Sequence, residues 1–167
     1  MVPRVLVAFA TKMGSNAQVA EAIAAVLRDA GLEVTTLPAR EARDLAPYDA
    51  VVLGSALYAA HWQREANRFV NRGREALRTK PVWLWSSGPL DRHLAARDLP
   101  PADNVLAIMA DIPFRAHHTF GGLLDPTVPG VDEQILRTHQ VGDFRDWERI
   151  RDYAREIARE LTGNAPG

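Results

Sequence analysis

The residues of this chain that could do chemistry fall in three short stretches, each directly behind an apolar run. The first is Thr11-Lys12-Met13-Gly14-Ser15-Asn16. Gly14 permits tight backbone curvature, and hydroxyls and free amides converge where a helix is predicted to begin. A helix N-terminus offers unpaired N–H donors and a partial positive charge, so a phosphate could sit there without an arginine. The same residues would also serve as an ordinary helix cap. Neither the Gly-x-Gly-x-x-Gly of dinucleotide folds nor the Gly-x-x-x-x-Gly-Lys-Ser/Thr of P-loops is present.

The second stretch, Gly54-Ser55-Ala56-Leu57-Tyr58-Ala59-Ala60-His61-Trp62, is small at first and then apolar and aromatic, which suits a wall against a flat ring such as a tricyclic flavin. Tyr58 and Trp62 are the residues that could stack, although Trp62 would equally anchor the next helix to the core. The third, Ser86-Ser87-Gly88-Pro89-Leu90, offers N–H and C=O groups that could read a pyrimidine-like ring edge, or forms a plain turn. His61 could give a proton or hydrogen bond to a reduced ring, or simply face solvent. His117 and His118 are neighbours on an expected strand and so point to opposite faces, a poor metal pair; no metal site is expected.

These stretches need elements to hold them. Val5-Leu6-Val7-Ala8-Phe9-Ala10 reads as a strand buried on both faces of a parallel sheet. From Ser15 to Ala30, Val19, Ala20, Ile23, Val26, Leu27 and Ala30 recur at helical spacing, with Ser15 or Asn16 as cap and Gly31 as stop. Leu32 to Leu37 and Ala50 to Gly54 read as strands, Gln63 to Arg78 as a helix, and Pro81 to Trp85 as a fourth strand. Beyond Leu90 the pattern weakens: Asn104 to Asp111 suggests a short helix and Phe114 to Phe120 an edge strand ended by Gly121-Gly122. Within Leu123 to Gly142, Val131 to Thr138 suits one or two helical turns. The last element is an amphipathic helix with Trp147, Ile150, Ala154, Ile157, Ala158 and Leu161 on one face. Its pairs Asp146/Arg149, Glu148/Arg151, Asp152/Arg155 and Glu156/Arg159 lie three residues apart. Alternating strands and helices of this length demand a parallel sheet covered on both faces, in the order 2-1-3-4-5, with ligands at the carboxyl ends of the strands where the order reverses.

The 167 residues suit one domain spanning 1–167, and 47% hydrophobic residues suffice for its core. With 20 basic and 21 acidic residues, nothing suggests capture of nucleic acid or of an anionic membrane. All the basic residues but Lys12 and Lys80 are Arg, a bias given no functional weight. The absence of cysteine excludes disulfides, thiolate metal sites and thiol nucleophiles. The opening Met1-Val2-Pro3-Arg4 leads into an apolar run too short for a signal core or membrane span, so a cytoplasmic protein is expected. A phospho-acceptor receiver domain shares this topology but needs acids where Thr11 and Ser55 stand.

Taken together, Thr11 to Asn16, the Gly54-Ser55 turn with Tyr58 and His61-Trp62, and Gly142-Asp143-Phe144-Arg145-Asp146-Trp147-Glu148 resemble the flavodoxin-like flavoproteins over nearly the whole chain. The likeness is to the subgroup that includes quinone-dependent protoporphyrinogen IX dehydrogenases. It implies a flavodoxin-like three-layer α/β sandwich with a five-stranded parallel sheet and noncovalent FMN. By matching position, Thr11, Lys12, Met13, Gly14, Ser15 and Asn16 inherit phosphate contact. Ser55, Ala56, Leu57 and Tyr58, with Ser86, Ser87, Gly88, Pro89 and Leu90, inherit ring contact; no catalytic side chain carries over. The implied activity is that of an FMN-dependent oxidoreductase with a redox-partner protein or a small-molecule or quinone acceptor. An electron-carrier flavodoxin or a flavin-free interaction domain are the alternatives. Two features depart from the relatives: Gly121 to Gly142 carries Asp125, Asp132 and Glu133 against Arg137, where the dehydrogenases are basic, and the net charge of -1 lacks the acidic field of typical carriers.

Overall fold

A computed structural model of the chain describes residues 2–12, 14–88 and 90–163. Met13 and Pro89, both expected near the ligand, lie outside the described residues. Five parallel strands form the sheet: β1 (Arg4–Ala10), β2 (Glu33–Pro38), β3 (Ala50–Tyr58), β5 (Val82–Ser87) and β6 (Ala116–Phe120). They lie in the order β2-β1-β3-β5-β6, which is the expected 2-1-3-4-5 when only the parallel strands are counted. The extra strand, β4 (His61–Trp62), pairs antiparallel with the end of β3.

Period-two alternation divides the strand side chains between two layers. Val5, Val7, Val52, Trp83 and Trp85 pack under α1 (Ser15–Asp29) and α6 (Trp147–Thr162). Leu6, Ala8, Val51, Leu53 and Leu84 pack under α2 (Arg64–Arg78) and α4 (Asp103–Ile108). Both layers are apolar along the whole strand, as burial on two faces requires. The expected edge strand is β6, whose outer side carries no partner strand among the described residues. Tyr153 fixes α6 to the neighbouring strand β5 by donating its hydroxyl to the Leu84 carbonyl at 2.7 Å, and burial raises its pKa.

Several expectations are corrected at the strand ends. β3 continues past Gly54 to Tyr58, because Leu57 and Tyr58 find antiparallel partners in Trp62 and His61. β5 continues past Trp85 through Ser86 and Ser87, which register with Ser55 and Ala56 on one side and Thr119 and Phe120 on the other. Two serines can lie within a buried strand because the ladder uses their backbone and cross-strand partners take the hydroxyl of Ser86. Between Leu90 and β6 the chain forms α3 (Arg92–Ala95) and α4, and the ambiguous stretch after Gly122 resolves into a strap. In that strap β7 (Leu123–Leu124) leaves, α5 (Glu133–Thr138) crosses, and β8 (Gly142–Asp143) returns antiparallel to β7. The expected Asp146/Arg149 pair is instead an N-cap: Asp146 accepts from the Arg149 N–H at 3.2 Å, while the Arg149 guanidinium reaches the Ala95 carbonyl. No helix of the described residues is long and apolar enough to cross a membrane.

Candidate functional site

The strand order reverses between β1 and β3, and the carboxyl ends of β1, β3 and β5 meet there. The first-loop geometry is set by Gly14, which caps α1 with φ 86° and ψ -8°. Neither Ser15 nor Asn16 is the cap that their types suggest; both belong to the first helical turn. That turn holds no acidic residue, so nothing opposes an anion at the N–H groups of a 15-residue helix. A Cβ on Gly14 would meet no atom within 4 Å. The glycine is therefore required by its left-handed backbone and not by crowding from neighbouring protein atoms.

Asn16 is fully buried and works inward. Its Nδ2 donates to the Ala10 carbonyl at 3.0 Å, and its Oδ1 accepts from Trp85 Nε1 at 3.3 Å. Its backbone N–H donates to Thr11 Oγ1 at 3.4 Å. The amide thus ties the start of α1 to the ends of two strands, and the loop inherits the rigidity of the sheet. Arg145 clamps the same turn from the other side. Its guanidinium donates to the Ser15 carbonyl (3.2 Å) and Gln18 Oε1 (2.6 Å) and pairs with Asp143 at 2.8 Å, holding that carboxyl below its usual range.

Beside this turn lies a hollow of about 100 Å³ that opens to solvent. Of the residues expected to meet a ligand, Lys12, Ser15, Ala56, Leu57, Tyr58, Ser87, Gly88 and Leu90 line it. Thr11 instead borders a separate depression with Pro38, Ala39 and Arg40. Ser55 and Ser86 are fully buried behind the wall. Ser55 Oγ accepts from the Gln63 N–H at 2.9 Å, and Ser86 Oγ accepts from Trp62 Nε1 at 2.8 Å. Trp62 is therefore a core anchor, and of the two aromatic residues Tyr58 is the one exposed at the hollow. His61 sits at the hairpin tip with Nδ1 2.8 Å from the Ala59 carbonyl.

The wall residues that sequence reasoning missed are Gly122 and, from the strap, Leu123, Leu124, Val131, Asp132 and Ile135. Their signal was weak, since α5 has no fully buried residue and its apolar positions are too few to show a period. The two ends of the strap are joined to each other by the β7/β8 ladder and by the Phe144 N–H, which donates to the Gly122 carbonyl at 2.9 Å. Gly88 and Gly122 matter for packing here. A Cβ on Gly88 would lie 3.0 Å from Leu57 Cβ, and one on Gly122 3.2 Å from a Leu90 methyl.

Tyr58 is displayed by a strained turn. Ala59 and Ala60 both have positive φ, 50° and 62°, in the hairpin that joins β3 to β4. A two-residue hairpin turn of this hand favours Asn-Gly, and each alanine forced into the left-handed region costs about 1 kcal/mol. Replacing Ala59-Ala60 by Asn-Gly is expected to raise unfolding stability by about 1–2 kcal/mol, read as a higher urea midpoint at unchanged slope. An unchanged or lower midpoint would show that the turn carries no strain.

Behind the wall, Ser86 Oγ also bonds His117 Nε2 at 2.8 Å. Burial, against a smaller pull from Asp98, lowers the His117 pKa to about 4. The unfolded chain therefore binds a proton near pH 6.5 that the folded chain refuses until about pH 4. Stability should fall as pH drops through that window, by at most about 3 kcal/mol, and His117→Gln should flatten the fall. Urea midpoints measured from pH 7 to pH 4 check this; equal slopes for both proteins would contradict it. His118 points to the other face, its ring 4.2 Å from that of Tyr153, as the alternation of a strand requires.

Residues 6–138 match the family described as flavodoxin domain. The chain is 24% identical to protoporphyrinogen IX dehydrogenase (quinone) of Escherichia coli K12 over 173 aligned residues, which cover 93% of this chain and 94% of that one. Among solved structures it is similar to oxidised flavodoxin 2 of Bacillus cereus, with 19% identity and a TM-score of 0.65 over 94% of this chain and 99% of that one. It is also similar to rubredoxin oxygen:oxidoreductase of Desulfovibrio gigas, with 14% identity and a TM-score of 0.66; the match covers 99% of this chain and 38% of that one. At these identities the structural likenesses establish the fold.

Proposed function

This chain belongs to the flavodoxin domain family, and on that premise we propose that it is an FMN-dependent oxidoreductase built as one domain over 1–167. It would take electrons or hydride from a reduced donor and pass them to a small-molecule acceptor of the quinone class, as a cytoplasmic protein.

FMN is the cofactor of the family, and the residues present fit it. The phosphate matches the acid-free first turn of α1, shaped by Gly14. The ring matches the apolar wall of Ala56, Leu57, Tyr58 and Leu90, and the end of β5 at Ser87 and Gly88 borders its edge, with the Gly88 N–H already given to the Phe120 carbonyl at 3.1 Å. FMN supplies the electron-accepting chemistry when bound. The chain's own residues would bind and orient: the α1 amides hold the phosphate, Asn16 and Arg145 keep those amides aimed, and the strap lines the hollow with Leu124, Val131 and Ile135.

The observation that favours an enzyme over a carrier is the strap. Val131, Asp132 and Ile135 line the same hollow as Leu57 and Leu90, making with them a chamber for a small apolar acceptor. A carrier instead leaves its ring edge open to a docking protein, steered by charge, and the net charge of -1 provides little steering. The test is stopped-flow reoxidation of the reduced holoprotein by menadione or a short-chain ubiquinone. A rate that saturates with quinone concentration supports the enzyme. A rate linear in quinone, alongside fast transfer to a small redox protein, contradicts it and supports the carrier. Anaerobic mixing of oxidised holoprotein with protoporphyrinogen IX then tells whether the donor is the one that the Escherichia coli relative's name specifies.

A further inference from the structure

The chamber has a charge asymmetry at its ring wall. Among its described lining residues only Lys12 and Asp132 carry formal charge. Asp132 is already engaged as the N-cap of α5, where its Oδ1 accepts from the Gln134 N–H at 2.8 Å. The Lys12 ammonium has no carboxylate partner among the described residues. It lies over the Tyr58 ring, with Nζ 3.5 Å from the centroid. An ammonium on an aromatic face is held by the ring quadrupole, weakly at so open a site, so a flat ligand can displace it. Tyr58 is 43% exposed, and it lines the hollow from which a flat ring would reach it.

We propose that Lys12 is the residue that sets the affinity of this site for reduced flavin: its ammonium covers Tyr58 until the ring takes that face, then stays at the chamber rim as the cation that favours the reduced form. The proposal rests on the FMN reading above. Residue 12 is anchored in the first loop at the edge of the hollow, so the displaced ammonium moves only as far as its own side chain allows. Oxidised FMN has a neutral ring. Two electrons from a reductant and one proton from water convert it at neutral pH to a ring bearing one negative charge. A cation close to that ring is worth more to the charged form than to the neutral one. The effect on the phosphate is the same in both oxidation states, so it cancels from the comparison. A lysine that served the phosphate alone would strengthen both forms equally.

The test compares wild type, Lys12→Met and Lys12→Arg. Dissociation constants for oxidised and for dithionite-reduced FMN are measured anaerobically, together with the two-electron midpoint potential of each complex. Lys12→Met is expected to weaken reduced FMN about tenfold relative to oxidised FMN, which lowers the midpoint potential by about 30 mV for a two-electron couple. Lys12→Arg keeps the charge and should stay close to wild type. An unchanged ratio in Lys12→Met overturns the proposal. So does equal weakening or loss of both forms, which would make Lys12 a phosphate ligand only, and so does an arginine variant that behaves like the methionine one. A wild-type protein that binds neither form of FMN overturns the flavin reading itself, and this inference with it.

Discussion

Gly54→Ala is expected to destabilise the protein by about 3 kcal/mol or more, a large share of the total stability of a domain this size. Gly54 lies opposite Trp85 in the β3/β5 ladder, and the indole lies flat across it. A Cβ at Gly54 would come within 1.8 Å of Trp85 Cε2, closer than any contact can be. The neighbour cannot retreat easily: Trp85 is fully buried, packed under α1 and α6, and its Nε1 is the donor to Asn16 Oδ1. Moving the indole therefore costs packing and also breaks the bond that positions the start of α1. Urea unfolding should show the lowered midpoint, and residual folded protein should bind FMN less well. Combining Gly54→Ala with Trp85→Leu should cost less than the sum of the two single changes, since the smaller side chain makes room for the methyl. A Gly54→Ala midpoint within error of wild type would show that the indole does not lie there.

Gly14→Val should have the opposite profile, with folding largely kept and FMN binding lost. The side chain has open space, so overpacking plays no part. The cost is in the backbone: at φ 86° a β-branched residue is strained, and the loop relieves the strain by leaving that conformation. The amides at the start of α1 then no longer converge. Losing one or two charge-assisted hydrogen bonds to the phosphate, each worth about 1.5–3 kcal/mol, corresponds to a loss of about a hundredfold or more in affinity. Gly14 itself is exposed and the cost is that of one strained backbone position, so stability should fall by no more than about 1–2 kcal/mol. Unchanged FMN affinity in a folded Gly14→Val protein would put the phosphate elsewhere.

The contrast between these glycines marks how far the sequence could be read. The continuous apolar runs at Val5 to Ala10, Ala50 to Leu53 and Val82 to Trp85 announced buried parallel strands, and their alternation with amphipathic helices determined the sheet order. The expectation that three loops meet at one place followed from topology alone, and residues of all three line the same hollow. What a loop side chain does was less legible. Asn16 and Ser86 are types that bind ligands, yet both turn inward, one to a tryptophan of a neighbouring strand and the other between Trp62 and His117. Those partners are 69, 24 and 31 residues away along the chain, and no local pattern encodes them. The strap escaped for a related reason. Its two-residue strands pair only with each other, and its short helix has no buried stripe, so neither period is present to be detected. Its importance lies in where it folds back, which a contact between Phe144 and Gly122 decides.

The reading of this molecule as a flavoprotein turns on one equilibrium. Apoprotein titrated with FMN, followed by flavin fluorescence and by the visible spectrum, should bind one flavin per chain, with quenching from the Tyr58 wall and a shifted, structured absorption band. A folded protein that leaves flavin fluorescence and absorption unchanged at saturating FMN would contradict it.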